Sequence, residues 1–107
     1  PWLRNHPPRI EWLNGQFAPA GVAIESPLVQ TLRRAWLRVN STAPRIEAVT
    51  YGADMRHFLV TGEIPCIMFG AGDVRLAHAP NESVSLEDLM SAIAVTAVFI
   101  AEWCGLA

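Results

Sequence analysis

The stretch PRIEAVTYGADMRHFLVTGEIPCIMFGAG, residues 44–72, decides the fold class. Its first part, residues 44–52, is short and β-rich, and its last part, residues 64–70, is apolar throughout. Branched and ring side chains favour strands because they pack well on a pleated surface. Between them DMRHFLVTG, residues 54–62, reads as a two-turn helix, with Asp54 at its start and Gly62 just past its end. Strand, short helix and strand in that order predict a right-handed βαβ unit with parallel strands.

Outward from this unit the pattern continues. Downstream, SLEDLMSAIAVTAVFIAEWCG, residues 85–105, predicts a buried helix, with Ser85 and Asp88 as a capping box and Gly105 as its stop. Upstream, SPLVQTLRRAWLRVN, residues 26–40, has Ser26 to cap and Pro27 at the first helical position. Leu28, Leu32, Ala35, Trp36 and Val39 share one face of that helix, leaving Arg33, Arg34 and Arg38 to solvent. Residues 17–25 read as a connector. Residues 10–13 alternate apolar with polar before a break at Asn14 and Gly15, which predicts a strand ending in a turn. The order β-α-β-α-β-α is that of an α/β layer, whose functional edge lies at the carboxyl ends of the parallel strands.

Composition narrows the function classes. The 107 residues suit one domain or a piece of a larger one, and 51% hydrophobic residues are ample for a core. Eight basic against ten acidic side chains, thinly spread, provide no footprint for nucleic acid. The apolar run LMSAIAVTAVFIA is too short to span a bilayer, so no membrane role is expected. Cys66 and Cys104 stand in apolar patterns without CxxC spacing, which predicts small buried hydrophobes in a reducing, cytoplasmic setting.

Both expected strand ends lead into residues able to carry chemistry. His78, in RLAHAPNES, can ligate a metal or move a proton through a neutral imidazole, or can be a loop histidine satisfied by backbone carbonyls. Glu82 follows four residues later, but Pro80 disfavours a helical i, i+4 clamp, so Glu82 is expected to orient or cap. Asp54 can cap the short helix, and Arg56, near the same strand end, can clamp a substrate carboxylate bidentately or stand exposed. Gly70 and Gly72 let the backbone pass close to another group, as a tight turn also requires. No role is assigned to His6 or His57. GxSxG, P-loop, GxGxxG, HExxH and CxxC motifs do not occur.

Taken together, residues 26–105 resemble the C-terminal end of the M20 family of zinc-dependent amidohydrolases and peptidases, in particular the acetylornithine deacetylase and succinyl-diaminopimelate desuccinylase group. The family's Gly-Pro-Gly turn followed by Ala-His-x-Pro-Asp-Glu is matched by Gly70-Ala71-Gly72 and Ala77-His78-Ala79-Pro80-Asn81-Glu82. Its Thr-Asp or Ser-Asp segment is matched by Gly52-Ala53-Asp54, with Arg56 matching an arginine of some members. The resemblance implies that His78 is a ligand to one of two zinc ions, with cobalt or manganese as substitutes. It also implies that Arg56 and Gly52 bind an N-acyl amino acid or small peptide, while Asp54, Gly70, Gly72 and Glu82 are structural near the site. By the same resemblance residues 1–16 end a lid domain that makes a homodimer contact, and residues 17–107 are the C-terminal segment of the catalytic domain.

The departures are equally specific. Ala71 stands for a proline, Asn81 for an aspartate, and no hydroxyl precedes Asp54. The family's His-x-Asp segment, its Glu-Glu pair with the general base and its remaining carboxylate ligand have no match here. No catalytic residue is therefore assigned, and a single histidine does not hold a catalytic zinc. The expectation is a C-terminal fragment of a hydrolase, inactive alone. The competing reading is an autonomous, non-catalytic α/β interaction module with a structural His78.

Overall fold

A computed structural model describes residues 1–13, 15 and 17–106. Helix α1 spans Trp2–Asn5, α2 spans Pro27–Val39 and α3 spans Leu86–Trp103, with a π-helical turn at His57–Thr61 and a 3-10 turn at Val74–Leu76. The two long helices pack against each other and form the core.

Local chemistry explains both long helices. The Ser26 hydroxyl accepts from the Val29 N–H at 3.4 Å, satisfying a donor that the first turn leaves free, and Pro27 supplies a helical φ at no hydrogen-bond cost. At the start of α3 the Ser85 hydroxyl accepts from the Asp88 N–H at 3.3 Å, with Glu87 and Asp88 facing the positive helix end. The helix stops where Gly105, at φ +71°, lets the Leu106 N–H reach back to the Ala101 carbonyl at 2.8 Å. Three of the sequence-based terminus assignments, Ser26, Ser85 and Gly105, thus stand where expected.

The packed seam is small. Ala35 and Val95 are fully buried, Val29 and Thr31 nearly so, and Leu28, Leu32 and Trp36 are half-buried. Arg33, Arg34 and Arg38 are exposed as their helix face predicts, and Val39 also turns to solvent. Two polar ties lock the seam. Ser91 Oγ lies 2.9 Å from Asn40 Oδ1, and Glu102, its side chain only 9% exposed, reaches Arg38 Nε at 3.1 Å and Arg34 Nε at 3.5 Å. The Arg38 contact is an ion pair off the N–H direction, so Glu102 Oε1 accepts no aligned hydrogen bond despite its burial.

The expected α/β layer with parallel strands is overturned: among the described residues there is no strand and no sheet. Residues 10–13, 44–49 and 64–69 run without a ladder partner, so β propensity there has no second strand to act through. A parallel sheet also needs cover on both faces, whereas Ile46, Val49, Ile64, Met68 and Phe69 are exposed here. The turn expected at Asn14 and Gly15 falls partly on Asn14, which lies outside the described residues. The first residues instead form α1, where the His6 N–H bonds the Trp2 carbonyl at 3.0 Å and the two rings stack 4.6 Å apart.

Two further expectations are corrected. Helix α3 is buried along one line only, since Leu86, Met90, Ile93, Ile100 and Trp103 are exposed. Cys66 is half-buried and Cys104 exposed, both as free thiols, because neither sits on the α2–α3 seam. The radius of gyration is 18.4 Å, against about 13 Å for a compact domain of this length. No described helix is long and apolar enough to cross a membrane.

Candidate functional site

The loop that follows residues 64–69 begins with Gly70, Ala71 and Gly72, where Gly72 takes φ +107°, a conformation that side chains disfavour. It then enters the 3-10 turn. Asp73 caps that turn, its carboxylate accepting from the Arg75 N–H and Nε–H, each at 2.9 Å. The Arg75 Nη2 closes a second contact to Asp73 Oδ2, making a fork on the carboxylate. These bonds to Arg75 lower the Asp73 pKa from 3.8 to about 2, and raise that of Arg75.

His78 sits at the apex of this loop. Its backbone is left-handed at φ 60°, as is that of Asn81 at φ 64°, a conformation in which His and Asn are enriched among non-glycine residues. Successive bonds from the Ala79 N–H to the Leu76 carbonyl and from the Glu82 N–H to the Ala79 carbonyl, both 3.1 Å, curl the chain round Pro80. The curl brings Glu82 Oε2 to 3.2 Å from the His78 N–H, which donates to it. Glu82 therefore closes the loop through the backbone. Among the described residues the His78 imidazole makes no hydrogen bond within the chain, and the residue is exposed.

The second expected group lies before the π-helical turn. Asp54 is exposed; its carbonyl, 2.8 Å from the His57 N–H, starts the turn rather than its carboxylate. Arg56 is half-buried, with Nη1 donating to the Ala53 carbonyl at 3.4 Å. Its guanidinium carbon lies 4.1 Å from the centre of the Phe17 ring. Gly52 lies under the same ring: a Cβ built on it would stand 2.7 Å from Phe17 Cδ1.

The structure thus joins Gly52 to Arg56 through Phe17, and His78 to Glu82. No hydrogen bond or ion pair links the two groups among the described residues. Sequence reasoning missed Phe17, because one aromatic in a connector carries no periodic or motif signal. It also missed Glu102, although the i, i+4 spacing of Arg34 and Arg38 signals a carboxylate partner.

An open, apolar groove of about 460 Å³ runs between Gly70–Ala71 and the α3 face of Leu89, Ala92, Ile93 and Thr96. Phe69 at its edge meets the Trp36 ring edge-on at 6.3 Å. Three metal-capable side chains never converge among the described residues. The residues present therefore do not fit a complete metal site; His78 is one exposed donor.

The model of a family described as Peptidase family M20/M25/M40 matches residues 8–102. An N-formyl-4-amino-5-aminomethyl-2-methylpyrimidine deformylase of Bacillus subtilis is 32% identical over 96% of this chain and 26% of its own length. A protein of Thermococcus kodakarensis named as a LysW-lysine/LysW-ornithine hydrolase is 36% identical over 94% of this chain and 29% of its own. An acetylornithine deacetylase of Myxococcus xanthus is 37% identical over 55% of this chain and 15% of its own. The chain spans about a quarter of the length of the first of these relatives. No solved structure matches at the same level of significance.

Proposed function

Since the chain belongs to peptidase family M20/M25/M40, we propose that it is the C-terminal part of a metal-dependent amidohydrolase that cleaves the amide bond of an N-acyl amino acid or small peptide. The observation that carries this reading is the family match over residues 8–102 together with the names of the relatives. They include a deformylase acting on an N-formyl compound and a deacetylase. Removal of an acyl group is common to these two names, while the amines differ.

In this reading His78 is one ligand of a zinc site, with cobalt or manganese as substitutes, and the general base and other ligands lie outside these 107 residues. Support comes from the exposed imidazole held on a left-handed turn that Glu82 closes. A ligand must present its ring nitrogen at a fixed place, and a clamped backbone limits the search. Arg56 receives the substrate carboxylate and Gly52 lies beside it. Residues 1–16 belong to a lid through which the parent dimerises, and the parent is cytoplasmic.

The test is hydrolysis of N-formyl and N-acetyl amino acids by the full-length protein, with and without chelator, and by its His78→Asn variant. The reading expects activity that chelation abolishes and zinc restores, and a loss of about a hundredfold or more in the variant. Chelator-resistant hydrolysis, or a His78→Asn enzyme with normal kcat/KM, overturns it.

A further inference from the structure

We propose that Phe17 is a positioning residue that fixes Arg56 as a bidentate receptor for a carboxylate, and that Gly52 is the opening through which the ring seats. The inference rests on the reading of Arg56 as a substrate-binding residue and adds the device that holds it.

The geometry is particular. An arginine side chain has several rotatable bonds, and fixing them on binding costs conformational entropy. Here that freedom is removed from two directions: the Phe17 ring covers one face of the guanidinium at 4.1 Å, and Nη1 is tied to the Ala53 carbonyl. Because a guanidinium donates only in its plane, covering a face leaves the remaining N–H edge available. No carboxylate lies within ion-pair distance of Arg56 among the described residues, whereas Arg34, Arg38 and Arg75 each pair with one. An oriented, half-buried and unpaired fork is suited to a planar anion from outside. Gly52 belongs to the device because any side chain there would meet Phe17 Cδ1 at 2.7 Å and Cε1 at 2.9 Å. The backbone at Gly52 does not itself need glycine, since its φ lies outside the left-handed region. Its missing side chain is thus explained by the ring above it.

The experiment titrates the isotope-labelled full-length protein, with chelator present to prevent hydrolysis, with N-acetylglycine and, separately, with N-acetylglycinamide, following the Arg56 Nε–H resonance by NMR. The resonance is assigned by its disappearance in Arg56→Lys. The acid should shift it saturably and the amide should not. Phe17→Leu and Gly52→Ala should each raise the dissociation constant for the acid about two- to fivefold, the range a lost cation–π contact gives. Phe17→Tyr should bind as the parent chain does. Unchanged resonances of α2 and α3 show that each variant keeps its fold, and the Tyr variant tests the ring independently.

Equal response to acid and amide, no saturable shift, or Phe17→Leu and Gly52→Ala binding as tightly as the parent chain each overturns the proposal. Hydrolysis is not needed for the readout. A full-length protein that binds carboxylates this way yet, without chelator and with zinc added, hydrolyses no N-acyl compound leaves the clamp standing and defeats the amidohydrolase reading; the converse result does the opposite.

Discussion

The Glu82 carboxylate accepts the backbone N–H of His78 at 3.2 Å, closing a turn whose apex is an exposed imidazole. An anionic acceptor makes this bond stronger than a neutral one would be. Glu82→Ala should therefore speed hydrogen exchange at the His78 amide severalfold, with stability changed by less than about 1 kcal/mol because the site is exposed. Exchange read by NMR checks this, and unchanged protection would show that the turn does not depend on Glu82.

The Asp73 carboxylate titrates at about 2, below its ordinary 3.8, because Arg75 bonds it through both side chain and backbone. A lowered folded-state pKa means that the contribution is fully present above the unfolded value and is lost as pH falls through the folded one. The 3-10 turn should hold above about pH 4 and loosen towards pH 2. In Arg75→Ala the pKa of the Asp73 carboxyl should rise part of the way towards its ordinary value, because the guanidinium bonds are lost while the backbone N–H of residue 75 still donates, as followed by its carbon chemical shift; a value still near 2 would assign the depression to another cause.

Val95 is fully buried on the α2–α3 seam. Val95→Ala removes two buried methyl groups and should cost on the order of 2 kcal/mol in urea unfolding. A seam this small has few other contacts to absorb the loss. A cost below about 0.5 kcal/mol would mean that the seam is not the stabilising core.

Glu102 bridges Arg34 and Arg38 from a buried position, while both arginines are largely exposed. A double-mutant cycle with Glu102→Gln and Arg38→Ala should give a coupling of about 0.5–1 kcal/mol that shrinks with added salt. Zero coupling at low salt would reduce the bridge to proximity.

Sequence patterns revealed the long helices because capping and periodicity are local: Ser26, Pro27, Ser85 and Gly105 act on neighbours within a turn or so. The buried face of α2 was legible less well, since Val29 and Thr31 are buried by the crossing of α3 rather than by periodicity. Side-chain type predicts strands in residues 44–52 and 64–70, but strand formation is a property of two chains of backbone, and no partner is present among the described residues. The loop around His78 is legible as a motif, but Pro80 excludes only a helical pair of His78 with Glu82; that the Glu82 carboxylate takes the His78 backbone N–H is seen only in the structure. The pairing of Phe17 with Gly52 and Arg56 depends on a contact between segments distant in sequence, which no local pattern encodes.

The left-handed backbone at His78 filters what a mutational scan can reveal there. Asn and Gly tolerate this conformation, so they remove the imidazole while sparing the turn, whereas Ala, Val or Ile add a backbone penalty of roughly 1 kcal/mol or more. Position 78 therefore has two separable axes. Expression and thermal shift rank substitutions by φ tolerance, and any assay that needs the ring ranks all of them alike. A scan in which Asn and Gly fall beside wild type on the first axis and beside Val on the second would isolate what the imidazole does from what the loop does.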